Sequence, residues 1–183
     1  SLTINGEVVA TAEANELKYD YTVPAEGDYT FTFTATKGEE TKIVSEQTCV
    51  VSAPVQQVRP KSVDMGIYYH SPAAGESLGS VTLSTYAASK TEAAKHVFVV
   101  GDFNNWAISN KYQMKQDGNY FWLEIDGLET KKEYAFQYVV VRADGITKKI
   151  SDLYSEKVLH PDDQYEPKTV NPDLMDYPKG GEG

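Results

Sequence analysis

Apolar residues recur at every second position in short runs that end at Gly, Asn, Asp or Pro, the spacing of strands rather than helices along almost the whole chain. Leu2-Thr3-Ile4 runs into an Asn5-Gly6 turn and then Glu7-Val8-Val9. Leu17 to Val23 alternates without a break, Pro24 to Gly27 turns the chain, and Tyr29 to Ala35 alternates again. After a Lys37-Gly38-Glu39 turn, Ile43 to Val51 completes four or five strands within residues 1–52. Residues 53–60, with Pro54 and Pro60 and no alternation, predict an extended linker. Beyond it, strands are predicted over Gly66 to Tyr69, Val81 to Tyr86, His96 to Val100, Tyr120 to Ile125, Tyr134 to Val141 and Ile146 to Ile150. The Ala/Lys stretch 87–95 predicts one helical turn, and Asp126-Gly127 a reversal. Pro161, Pro167, Pro172 and Pro178 interrupt everything after Asp152, so 161–183 is expected to be an extended tail.

Composition narrows the function classes. The 183 residues carry 17 basic and 27 acidic side chains, a formal net charge of −10. That sign opposes phosphate backbones and anionic leaflets, so neither nucleic acid nor a membrane surface is an expected partner. No run approaches the roughly 18 apolar residues a membrane helix needs. One cysteine, Cys49, excludes an internal disulfide, and its strand position predicts a buried structural thiol. His70, His96 and His160 are too scattered for a zinc site, and no metal or other cofactor is expected. The carboxylates fall mostly in turns and in the acidic tail, which is no setting for the paired carboxylates of glycoside hydrolysis, so the chain itself is not expected to be an enzyme. The N-terminus, which does not begin with Met and carries no leader pattern, is expected to be mature or cut from something longer.

The most specific run is Val97-Phe98-Val99-Val100-Gly101-Asp102-Phe103-Asn104-Asn105-Trp106, followed by Gln116-Asp117-Gly118-Asn119-Tyr120-Phe121-Trp122 and Tyr134-Ala135-Phe136-Gln137-Tyr138-Val139-Val140. Together these resemble carbohydrate-binding module family 48, over roughly residues 58–160. Such modules precede the catalytic barrel in α-amylase-type enzymes of glycoside hydrolase family 13, and they form the glycogen-binding domain of AMP-activated kinase β-subunits. The flanking "RP…GIYY" and "DLYSEKVLHP" are most similar to amylases of the Bacteroides type. The first block, with "EGDYTFTFTAT", resembles the second half of an immunoglobulin-like bacterial sandwich, which leaves an exposed sheet edge. The expected fold is therefore all-β: two immunoglobulin-like β-sandwich units, the first incomplete, with an extended C-terminal tail. The expected divisions are 1–52, linker 53–60, a binding module at 61–160 and the tail 161–183, leading toward an absent catalytic domain.

Glucan recognition needs a flat ring against one face of a glucose and a few amides or charges for its hydroxyls. Trp106, Asn104 and Gln137 can supply that set, with Gly101 turning the backbone tightly ahead of the loop. Trp122 falls on the outward face of its strand by parity and is a further candidate. The resemblance places Gln137 where the family has a sugar-contacting Lys, and Thr147 where it has a second stacking Trp. Asp152-Leu153-Tyr154 and His160-Pro161-Asp162 stand where relatives read "DPY" and "DPW" before the barrel. The implied function is a non-catalytic starch- or glycogen-binding region of an α-amylase-type enzyme, placed by resemblance in the cell envelope or secreted. The alternative is a structural spacer that supports the barrel without touching sugar, with an exposed apolar patch around Trp122 and Tyr154.

Overall fold

The structure is a computed structural model describing residues 1–87 and 93–179. The chain divides into two compact units, Ser1–Ser52 and Ala53–Gly183.

The first unit is a single antiparallel sheet built from β1 (Leu2–Ile4), β2 (Glu7–Ala10), β3 (Gly27–Lys37) and β4 (Glu40–Val50), ordered β2-β1-β3-β4. Asn5 and Gly6 take the positive φ values, 50° and 86°, that a two-residue hairpin of this hand requires. Register puts Leu2 opposite Phe33 and Ile4 opposite Phe31, so one face is apolar while Thr30, Thr32 and Thr34 line the other. Leu17 to Val23, expected as a strand, makes no ladder. Its alternation serves packing instead, because Tyr21 meets the rings of Tyr29 and Phe31 edge-on at 6.1 and 5.8 Å. β4 is the long outer strand of this sheet, with Ile43 and Val44 exposed. Cys49, expected to be buried, is half-buried on that strand.

The second unit pairs a four-stranded with a three-stranded antiparallel sheet. One is ordered β5-β6-β9-β8, from β5 (Gly66–His70), β6 (Leu78–Tyr86), β8 (Lys115–Asp117) and β9 (Tyr120–Glu129). The other is β11-β10-β7, from β7 (Ala94–Gly101), β10 (Phe136–Arg142) and β11 (Thr147–Ile150). Val81, Leu83, Phe121, Leu123 and Ile125 of the first sheet pack on Val97, Val99 and Tyr138 of the second, with Met114 between them. Strand β8 was not legible from its Lys-Gln-Asp composition; it exists because β9 offers an edge. Asp126-Gly127 is no reversal. β9 continues to Glu129, and Gly127, at φ 77°, is the extra residue of a bulge opposite Gly79 and Ser80. Of the stretch 87–95, expected to hold a helical turn, 88–92 lie outside the described residues and Ala94 and Lys95 belong to β7.

The segment 53–60 is not a free tether. Gln56 bridges to Gln116, Gln116 donates its backbone N–H to Val55, and Arg59 bonds Asp117 at 3.2 Å while its guanidinium sits 3.6 Å over the Tyr120 ring. The tail also has local order, a 3-10 turn at Pro161–Tyr165 whose backbone start is capped by His160 and Asp163. Asp152, which precedes it in sequence, is buried, accepting from the Tyr138 hydroxyl and, at 2.6 Å, from the Tyr154 N–H. Burial and the Asp152 charge push the Tyr138 phenol far above its ordinary range, so it remains a donor.

Candidate functional site

The loop after β7 opens with Gly101. Its backbone is extended rather than turned, so the expectation of tight turning is replaced by one of space: a Cβ there would meet the Ala135 carbonyl oxygen at 2.5 Å and the Phe136 Cβ at 2.9 Å. Phe103 and the 3-10 turn Asp102–Asn104 follow. The Asp102 carboxylate then ties two elements together, accepting from the Ala135 N–H at 2.8 Å and from the Trp106 indole N–H at 3.1 Å.

Asn105 and Trp106 are both left-handed, at φ 54° and 61°. For an indole-bearing residue that conformation costs about 1–3 kcal/mol and persists only where surroundings over-determine it. Here the Trp106 N–H bonds the Gly101 carbonyl at 3.0 Å, and Asp102 holds the indole nitrogen. The ring is consequently aimed, half-buried, into a cavity of about 480 Å³.

That cavity lies within the second unit, at one end of the sandwich. Its apolar floor includes Leu83 and Phe136, and Phe103, Tyr134, Trp106 and Tyr177 add aromatic walls. The β9–β10 connection is stiffened at its mouth, where the Tyr134 hydroxyl accepts the Glu129 N–H at 3.0 Å and Lys132 bonds the Glu129 carboxylate at 2.7 Å. That hydrogen bond raises the Lys132 pKa. Burial, then Glu156 and Asp152, raise that of Tyr69 on the opposite rim, so the phenol stays neutral. Lys157 donates to the Glu133 carboxylate at 2.8 Å and to the Asp173 carbonyl at 3.0 Å, drawing the tail against this rim.

The four residues proposed from sequence separate. Trp106 and Gln137 line the cavity together. Asn104 does not; its amide accepts the Gly101 N–H and donates to the Val99 carbonyl, each at 2.9 Å, so it shapes the loop that carries Trp106. Trp122, placed outward by parity, is on the outward face yet only 4% exposed. The segment before β5 covers it: its indole donates to the Gln57 carbonyl at 2.9 Å, and Lys115 stands 4.4 Å from the ring. The exposed apolar patch expected around Trp122 is therefore absent on that side, although Tyr154 is 51% exposed. Gln137 is buried too, among Phe98, Val100 and Val139 on a sheet face that parity alone would have given to solvent. Thr147, at the position where the resemblance implies a second stacking ring, is exposed. Tyr134 and Tyr177 were missed because nothing in the sequence brings residues 43 positions apart to one cavity.

Among the described residues no three His, Cys, Asp or Glu side chains come together to hold a metal, and no helix is long and apolar enough to cross a membrane. A search of curated proteins returns no match. Residues 66–155, from β5 through the turn that follows β11, match the family model of carbohydrate-binding module 48, the isoamylase N-terminal domain, and this supports a carbohydrate-binding role for the second unit.

Proposed function

We propose that the second unit binds α-glucan of the starch or glycogen type and does so as the accessory, non-catalytic region of an α-amylase-type glycoside hydrolase, secreted or held in the cell envelope. The observation that carries this reading is Trp106, held in a left-handed conformation that only a network of its own loop maintains, with its ring at the wall of an aromatic cavity. Backbone strain of this kind concentrates where a ring must be presented to a ligand. Gln137 borders the same cavity, and Asn104 and Asp102 act as positioning residues.

Affinity is expected in the micromolar to millimolar range, about −8 to −4 kcal/mol, because sugar hydroxyls surrender water for each bond they make. Isothermal titration of the chain with maltoheptaose is the direct test, and Trp106→Ala is expected to reduce binding by at least about tenfold. A second reading, a spacer that supports the catalytic barrel without sugar, is favoured by Thr147 in the place of a second ring and by the internal use of Asn104. It predicts no retention on amylose and no difference between Trp106→Ala and the parent.

A further inference from the structure

We propose that the outer edge of β4 is a self-association surface, on which two copies of the chain pair their β4 strands antiparallel about a two-fold axis through Val44. This surface belongs to the first unit and is independent of the α-glucan reading.

A strand edge is a template for another strand, and folded proteins blunt such edges by shortness, proline or bulges. β2, at one end of this sheet, is four residues long. β4, at the other end, runs eleven residues without a proline, and its register against β3 has no break. Among the described residues no strand pairs with its outer side, and every residue from Glu40 to Thr48 is exposed.

That edge is complementary to its own reverse. A two-fold axis normal to the sheet returns each face to itself, so one residue of β4 must meet its own copy. With Val44 on the axis, Lys42 of each chain stands directly opposite Glu46 of the other, while Ile43 faces Ser45, Thr41 faces Gln47 and Glu40 faces Thr48. Neighbouring registers lack this match. Centring on Ile43 opposes Glu40 to Glu46, centring on Lys42 or Glu46 opposes like charges, and centring on Ser45 leaves Lys42 against Thr48. Opposite charges directly across a ladder stabilise it, and like charges destabilise it. Among the described residues neither Lys42 nor Glu46 is in an ion pair within its own chain.

Apolar burial favours the same register. Val44 is opposite Phe33, and Phe33 is opposite Leu2, all on one face. Val44 and Phe33 are 49% and 44% exposed, so a Val44 contact on the axis joins two apolar rows into one and removes water from both.

Sedimentation equilibrium of the full chain over about 5–500 µM tests this, and dimers with a dissociation constant of about 10–100 µM are expected of so small an interface. Lys42→Glu and Glu46→Lys, both at exposed positions, are each expected to weaken association at least about tenfold with melting unchanged, because each turns two attractive pairs into repulsive ones. An equimolar mixture of these two variants restores both attractive pairs and is expected to associate as the parent does, as is the chain carrying both substitutions. A parent that stays monomeric, single variants that associate as the parent does, or a mixture that associates no better than its components overturns the proposal.

Discussion

At Gly101 the backbone is extended, a conformation open to any residue, so the glycine is there for room: the Ala135 carbonyl would lie 2.5 Å from an added methyl. Backbone cannot give way as a flexible side chain can. Gly101→Ala is expected to cost about 1–3 kcal/mol, seen as a lower urea midpoint with an unchanged slope. His96 poses the electrostatic counterpart. It is buried, its Nδ1 accepts from the Gln113 amide at 2.8 Å, and burial together with Lys95 lowers its pKa. Because the folded value is below the unfolded one of about 6.5, the unfolded chain binds the extra proton first. Stability from this site is complete above that pH and is lost as pH falls through the depressed folded value. Melting curves between pH 7.5 and 5 are expected to show that loss in the parent and a smaller one in His96→Gln. Residue types at such positions were visible in the sequence, but whether an outward parity means water was not. Trp122 and Gln137 both obeyed parity and both were buried, because other parts of the chain lie across those faces.

Among the elements, the connections carry more than their composition promised. Asp152, read as a drifted barrel-proximal motif, anchors the chain leaving β11 by accepting from Tyr138 and Tyr154. Asp152→Ala strands a buried phenol hydroxyl and a backbone N–H, so a loss of about 1–3 kcal/mol is expected in chemical denaturation. Lys157 acts at longer range by joining the β9–β10 connection to the tail. Its side chain is partly exposed, so Lys157→Ala is expected to change stability by less than about 1 kcal/mol while weakening maltoheptaose binding, a split that titration and melting read separately. Ala94–Gly101 and Phe136–Arg142 were found within a residue or two of their observed ends, whereas β4 and β6 begin three residues before the alternation and β9 runs four beyond it. Alternation failed at Leu17 to Val23, where the same pattern was used to lay Tyr21 on a sheet instead of adding a strand to it.

For the whole molecule, the division at Ser52 separates a unit with one sheet from a unit with two. The apolar floor, the aromatic walls and the ion-paired rim of the cavity all belong to the second. A chain beginning at Ala53 is therefore expected to fold and to bind maltoheptaose with a dissociation constant within about twofold of the full chain, since every residue that lines the cavity belongs to the second unit. A much larger change in titration would place part of the binding surface in residues 1–52.

By itself the sequence determined the all-β character, the strands of the second unit other than β8 and the loop that bears Trp106, because period-two alternation and Asn, Asp and Gly turns act over a few residues and are written locally. Only the tertiary structure decided that Asn104 is a staple, that Trp122 is covered, and that Gln137, Tyr134 and Tyr177 meet around one cavity. Burial and convergence depend on which distant segments cross a face, and that is set by packing summed over the whole chain rather than by the pattern at any one position.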